Sequence, residues 1–367
     1  MAGGVAGYAA LNARVRVMFS YLLRAPDLSA LSEAADLQSL VSALKRTAYG
    51  PYLDAIKEKE TSPRAIILAL KKRLAESSQS IIRTSPLQAH RILAQLYRYF
   101  EVNNLKALLR GVGVAAARPG AGPVWDQVRE LLFPTESMTV LPAQAMAESG
   151  SVAAAVEVLR GTAYYETLAF ALKRSTAEQS LFPLEVALDL FYWRRVWQEA
   201  RRLRGEDQAQ AVRVVGSLVD TNNLMWAIRY RVYQGLSEEE LINYTLPFGF
   251  RVRDEDVRAV AAGADMAAVL SRLFPGIPNI GRYLEEPRAG LPGLELELKR
   301  HVMRQCLAAF VGNPFHIGLP LAYLILHDLE IQDLTVLVEA KAARLPTEEF
   351  RPFLLGVAAV RVGAAGD

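Results

Sequence analysis

A ten-residue pattern occurs three times along this chain, and its spacing constrains the fold more than any other feature. The copies open Glu101-Val102-Asn103-Asn104-Leu105, Asp220-Thr221-Asn222-Asn223-Leu224 and Glu330-Ile331-Gln332-Asp333-Leu334, and close at Arg110, Arg229 and Glu339. Each sets an acid, then an amide or acid three residues on, then a leucine, inside a long stretch of helical character. Residues three apart share one helix face, so Glu101 with Asn104, Asp220 with Asn223 and Glu330 with Asp333 form three like pairs. The copies are 119 and 110 residues apart in a chain of 367. A period near one third of the chain predicts three repeated units rather than one irregular domain.

An unrelated pattern has the same period. Leu40 to Tyr49, followed by Leu53, matches Val156 to Tyr164, followed by Leu168; a third, more divergent copy runs Val269 to Pro275 and ends at Tyr283-Leu284. Leu53, Leu168 and Leu284 step by 115 and 116 residues. The expected units are 1–118, 119–247 and 248–367, packed as one body.

Composition bounds the function classes. With 51% apolar residues the chain can bury a continuous core. A formal charge of +3, with acids interspersed among the bases, is too mild to argue for nucleic acid. Cys306 is the only cysteine, so no intrachain disulfide forms, and its helical surroundings predict a buried inert thiol. The N-terminus lacks the basic start and apolar core of a signal peptide. The longest apolar run, Ile317 to Leu326, is too short to span a bilayer. The expectation is a cytoplasmic protein.

Taken in order, nearly everything reads as helix. Apolar residues from Tyr8 to Leu23 recur near a 3.6-residue period. Short helices follow, with starts marked by Asp27 and Asp36. Thr61-Ser62-Pro63 opens a helix to about Arg83, and another runs from Pro86 to about Val112. Ala117 to Pro123, rich in proline and glycine, reads as a linker. The second unit has short helices, then long ones from Pro183 to Leu203 and from about Asp207 to Gly235, joined tightly through Gly205-Glu206-Asp207. In the third, Pro287 to Gly290 reads as a break, with long helices from Pro292 and from His316 to Arg344. Each unit is thus short helices plus a long antiparallel pair. No stretch shows sustained period-two alternation, so the class is all-α.

Several stretches together carry a family resemblance. They are Leu296 to Arg300, Gly312-Asn313-Pro314-Phe315, Ala322-Tyr323-Leu324, the third copy of the tripled pattern and Leu345-Pro346-Thr347-Glu348. They resemble the C-terminal third of the C subunit of the V/A-type ATPases, the prokaryotic counterpart of the d subunit of the eukaryotic V-ATPase. Leu188-Asp189-Leu190-Phe191-Tyr192 is similar to the family's Leu-Asp-x-x-Tyr helix start, and Leu246 to Phe250 to one of its turns. Two departures stand out: Asp333 replaces the usual asparagine, and Pro275-Gly276 interrupts the third short-helix copy. The resemblance implies a pseudo-threefold helical funnel. It also implies a non-catalytic rotor component that seats the central stalk and caps the cytoplasmic face of the membrane rotor ring, for transport of protons or sodium ions. On that reading the chain is peripheral to the membrane through the ring, and needs neither cofactor nor metal.

Apart from the resemblance, the residues allow other chemistry. Three acids in a central hollow could hold a metal or act as acid and base. The leucines beside them favour helix–helix contact, with Glu101, Asn104, Asp220, Asn223, Glu330 and Asp333 in structural hydrogen bonds, for instance capping a short helix of the same unit. His90, His301, His316 and His327 lack ligand spacing, and no phosphate loop is present. Phe191-Tyr192-Trp193, Trp197 and Trp226 read as core or socket lining, and Arg194 to Arg204 as a solvated basic face. A generic helical scaffold and an all-α enzyme are the competing classes.

Overall fold

The computed structural model describes residues 2–56, 62–118, 123–135, 141–262 and 265–358. Among these every regular element is helical. The first group is α1 (Ala2–Ser20), α2 (Ala25–Ser32), α3 (Leu37–Leu44) and α4 (Gly50–Asp54), leading to the long pair α5 (Pro63–Thr84) and α6 (Leu87–Ala117). Next come α7 (Val124–Val128), α8 (Ala143–Ala147), α9 (Val152–Glu157) and α10 (Tyr165–Glu178), then the pair α11 (Phe182–Arg202) and α12 (Gly205–Arg229). The last group is α13 (Glu238–Asn243), α14 (Asp254–Ala262) and α15 (Met266–Leu273), the pair α16 (Pro287–Ala308) and α17 (Gly318–Ala342), and finally α18 (Thr347–Phe350) and α19 (Leu355–Ala358). Most of the expected linker, 119–122, lies outside the described residues.

Local chemistry sets the helix ends. Ser62 caps α5 by accepting from Ala65 N–H at 3.1 Å, with Pro63 as the first helical residue. Asp36 caps α3 through Ser39 N–H at 2.8 Å. Asp27 sits inside the first turn of α2 and reaches back to Arg24 N–H, also at 2.8 Å. The α11–α12 turn is tighter than the sequence suggests: Leu203 and Arg204 make it, and Gly205 already opens α12 with φ +57°, a left-handed value that favours glycine. The 14-residue α10 is longer than the short helices expected before α11.

The expected break at Pro287 to Gly290 is not there, and α16 runs unbroken from Pro287 through Pro292. A proline six residues into a helix leaves the carbonyl four residues back without its N–H. That carbonyl belongs to Arg288, and the Tyr233 hydroxyl donates to it at 3.1 Å. The glycines there serve packing. A Cβ on Gly290 would stand 2.1 Å from the Tyr283 carbonyl oxygen, and one on Gly293 would stand 2.6 Å from the Tyr283 ring, in the 3₁₀ segment Ile280–Leu284. Gly290→Ala is therefore expected to cost about 2 kcal/mol or more, read as a lower urea midpoint.

The six long helices close on themselves. Within the pairs, α5 packs on α6, α11 on α12 and α16 on α17; between pairs, α6 packs on α11, α12 on α16, and α17 back on α5. Helix α1 lies against α17 and α5. It is tied down by Tyr8 Oη donating to Asp207 at 2.9 Å and Asn12 Nδ2 donating to the His316 carbonyl at 2.9 Å. One apolar core runs through all three groups, from Tyr8 and Leu40 to Leu334 and Leu355. Cys306 is fully buried within it, and burial pushes its thiol well above the ordinary range. No described helix is long and apolar enough to cross a membrane.

Candidate functional site

The six residues of the tripled pattern lie on the second helix of each long pair, and all are buried. The positions three residues on grip backbone. Asn104 accepts from Phe133 N–H at 2.7 Å and donates to the Phe133 carbonyl at 2.8 Å. Asn223 treats Leu246 alike, both bonds at 2.9 Å. Asp333 has no donor, and the backbone turns accordingly: it accepts from Leu355 N–H at 2.7 Å and Gly356 N–H at 2.8 Å. An amide suits a segment presenting N–H and C=O together, whereas a carboxylate suits two successive N–H groups.

The first positions reach into the next group of short helices. Burial raises the Tyr164 hydroxyl above its ordinary value, and the nearby Glu101 carboxylate adds to that rise. Asp220 accepts from Phe250, Arg251 and Val252 N–H at 2.8, 2.7 and 3.2 Å. Gly249 makes that approach feasible, since a Cβ there would lie 2.1 Å from Asp220 Oδ1. Glu330 closes the circle by accepting from Leu23 N–H at 2.5 Å and from the Tyr49 hydroxyl. Each long pair thus holds the short helices of the following group, and the last holds the first. At the first positions the contacts are therefore with the following group, whereas Asp333 holds the first two N–H groups of α19, a short helix of its own unit.

The Glu330 contact contains a buried ion pair. Arg73 Nη1 is 3.5 Å from Glu330 Oε1 and 2.9 Å from His327 Nε2, and its guanidinium lies 4.5 Å over the Tyr49 ring. Arginine can only donate, so Nε2 accepts and Nδ1 carries the His327 proton toward Tyr323 Oη, 3.2 Å away. Burial, with Arg73 adjacent, holds His327 neutral, well below the ordinary histidine value. Burial pushes Glu330 up to about 7, against the Tyr49 hydroxyl, Arg73 and Leu23 N–H, which favour its charged form.

The opposite face of the same helices lines a central hollow. Residue two of each copy lies on the far side of the helix from residues zero and three, and Asn103, Asn222 and Gln332 all face this space of about 560 Å³. All six long helices contribute to its wall. A smaller space of about 130 Å³ adjoins it, lined largely by apolar groups such as Leu96, Tyr192, Val302 and Leu324.

Charges in the hollow are mostly paired across helices. Lys106 meets Asp189, whose carboxyl burial pushes up against that lysine. Just beyond, Arg110 binds Glu185 bidentately at 2.5 and 2.8 Å. Arg229 and Lys299 flank Glu295 at 2.5 and 3.0 Å. The Gln332 amide bridges, accepting from Lys299 at 3.0 Å and donating to Asp328 at 2.9 Å. Burial pushes Asp328 up to about 6 and lowers Lys71 on the facing helix. Trp193 and Trp226 face the hollow, while Trp197 stacks on Phe248 with ring centroids 5.2 Å apart. No cluster of three or more metal-ligating side chains occurs among the described residues.

Sequence reasoning reaches Trp193 and Trp226 of the hollow but passes over its polar residues. Asn103, Asn222 and Gln332 stand within the tripled pattern, two places after its acid. Lys71, Asp189 and Glu295 each lie about two turns into the first helix of a pair, a placement that shows only once the pairs are aligned.

Fold and hollow together define an all-α body with a polar hollow walled by its long helices. Residues 11–353 match the ATP synthase (C/AC39) subunit family, and the chain belongs to that family. Among its relatives is the C subunit of the A-type ATP synthase of Methanocaldococcus jannaschii, 26% identical over 96% of this chain and 87% of that protein. The proteins of the same name from Methanothermobacter thermautotrophicus and Pyrococcus abyssi are 24% and 23% identical, each over 90% of this chain and 83% and 86% of their own lengths.

Proposed function

We propose that this chain is the non-catalytic component that couples the central stalk of a V/A-type rotary ATPase to its membrane rotor ring. The end of the stalk seats in the central hollow, and another surface of the body rests on the cytoplasmic face of the ring. The observation that carries this reading is the polar hollow walled by all six long helices. A socket walled that way loads every helix pair when its occupant turns, which is what passive transmission of torque requires. The cyclic hand-over of buried contacts through Glu101, Asp220 and Glu330 supports it, because a closed body resists twisting better than an open stack. The division into units 1–118, 119–247 and 248–367, related by a pseudo-threefold axis along a funnel, belongs to the same proposal. So does placement at the cytoplasmic face of a membrane, held there by the ring.

The test is co-elution of the purified chain with the two central-stalk proteins encoded by its own genome, at low and moderate salt. A stoichiometric complex is expected. If the stalk pair is intact and the chain elutes alone in both buffers, the coupling role is wrong, and a scaffold for other partners becomes the better reading.

A further inference from the structure

Acid–base pairs join neighbouring helix pairs around the hollow, and their sense is not the same all the way round. Between α6 and α11 the bases Lys106 and Arg110 stand on the second helix of a pair, and the acids Asp189 and Glu185 on the first helix of the next. Between α12 and α16 the order is the same, Arg229 facing Glu295. Between α17 and α5 it is reversed. There Asp328 and Glu339 stand on the second helix and act on Lys71, on the first. Lys71, Asp189 and Glu295 hold corresponding places in their helices, and Arg110, Arg229 and Glu339 are the closing residues of the tripled pattern.

On its hollow side the reversed contact also carries free charge, whereas Arg73 and Glu330 of the same two helices pair at 3.5 Å, away from the hollow. Lys71 has no ion pair within 4 Å among the described residues, and Asp328 is met by the Gln332 amide rather than by a cation. The pairs at the other two contacts are within salt-bridge distance and neutralise one another. Three like contacts would receive an occupant equally well in three orientations 120° apart. One reversed, open contact makes one orientation different from the other two, because like charges brought together across a docked surface disfavour the wrong placements.

We propose that the hollow is keyed: Lys71 and Asp328 select a single angular orientation for a helical stalk tip, which presents a carboxylate to Lys71 and a cationic side chain to Asp328. This rests on the reading that the hollow receives the stalk. It adds that torque passes through one fixed orientation of stalk and socket rather than through three interchangeable ones.

The test uses three variants, Asn103→Cys, Asn222→Cys and Thr335→Cys, which put one thiol on each helix pair facing the hollow. Buried Cys306 gives the background in the unsubstituted chain. Each variant is assembled with a stalk pair carrying one cysteine at its tip and treated with a short bis-maleimide. One variant is expected to give at least about tenfold more cross-linked product than the other two, and comparable yields from all three would overturn the proposal. A second arm adds Lys71→Asp with Asp328→Asn and Glu339→Arg, which gives the third contact the sense of the other two. The yields should then converge, and an unchanged preference in a variant that still co-elutes with the stalk would show that this contact is not the key. Failure of the unsubstituted chain to co-elute removes the stalk reading and the key together. Co-elution with even yields removes the key alone.

Discussion

Asp220→Ala is expected to lower the stability of the isolated chain by about 3–5 kcal/mol, read from urea unfolding with an unchanged slope. Three backbone N–H groups at 2.7 to 3.2 Å lose their acceptor at once, in a site where Asp220 is 2% exposed. Asp220→Asn separates charge from shape. Its amide nitrogen would put a donor where the three N–H groups need an acceptor. We therefore expect at least half of the alanine penalty. An asparagine variant as stable as the parent would mean that the three N–H groups find other acceptors, and that the contact between the second helix pair and residues 250–252 does not depend on a carboxylate.

Arg73→Met is expected to cost about 3–5 kcal/mol at pH 8, because it leaves the Glu330 carboxylate buried beside a neutral histidine. The penalty should shrink as pH falls. Glu330 is raised to about 7 from an ordinary 4.5, so its contribution is present at low pH and is lost as pH rises through 7. Without Arg73 the carboxyl is raised further and takes a proton more readily. His327 works the same way in the difference between the two proteins. Its value is lowered, so its contribution is present above 6.5 and is lost as pH falls, and removing Arg73 relieves that lowering. Thermal unfolding of parent and variant at pH 8 and pH 5.5 checks this. A gap that widens at the lower pH would contradict the charge assignment.

Much of the helical frame was legible because its signals are local. Ser62-Pro63 and Asp36 mark helix starts by side chains acting within three residues, and both starts fall where expected. Pro292 misled because its cost is met from outside the helix, by a tyrosine 55 residues away from the freed carbonyl along the chain. The tripled pattern singled out buried residues, yet it could not tell which backbone each would hold. Asn104 and Asp333 grip segments 29 and 22 residues away, whereas Glu330 reaches back 281 residues to Tyr49. The hollow was hidden for the same reason, since its wall joins helices that only the closed packing brings together. The change from Arg110 and Arg229 to Glu339 was nevertheless written in the pattern's last place.

That long reach has a consequence for a chain made from one end. Leu23 and Tyr49 find their acceptor on Glu330, and Asn12 finds one at His316. At about 5–20 residues per second of synthesis, the 281 residues between Tyr49 and Glu330 take roughly 15–60 s to emerge. Throughout that interval the leading helices can meet one another and α5, but not the α17 surface that covers the rest of them. They wait, open to chaperones and proteases, for the last long helix to leave the ribosome. Nascent chains halted before residue 318 should accordingly be cut within their first 56 residues, and chains released after residue 358 should resist.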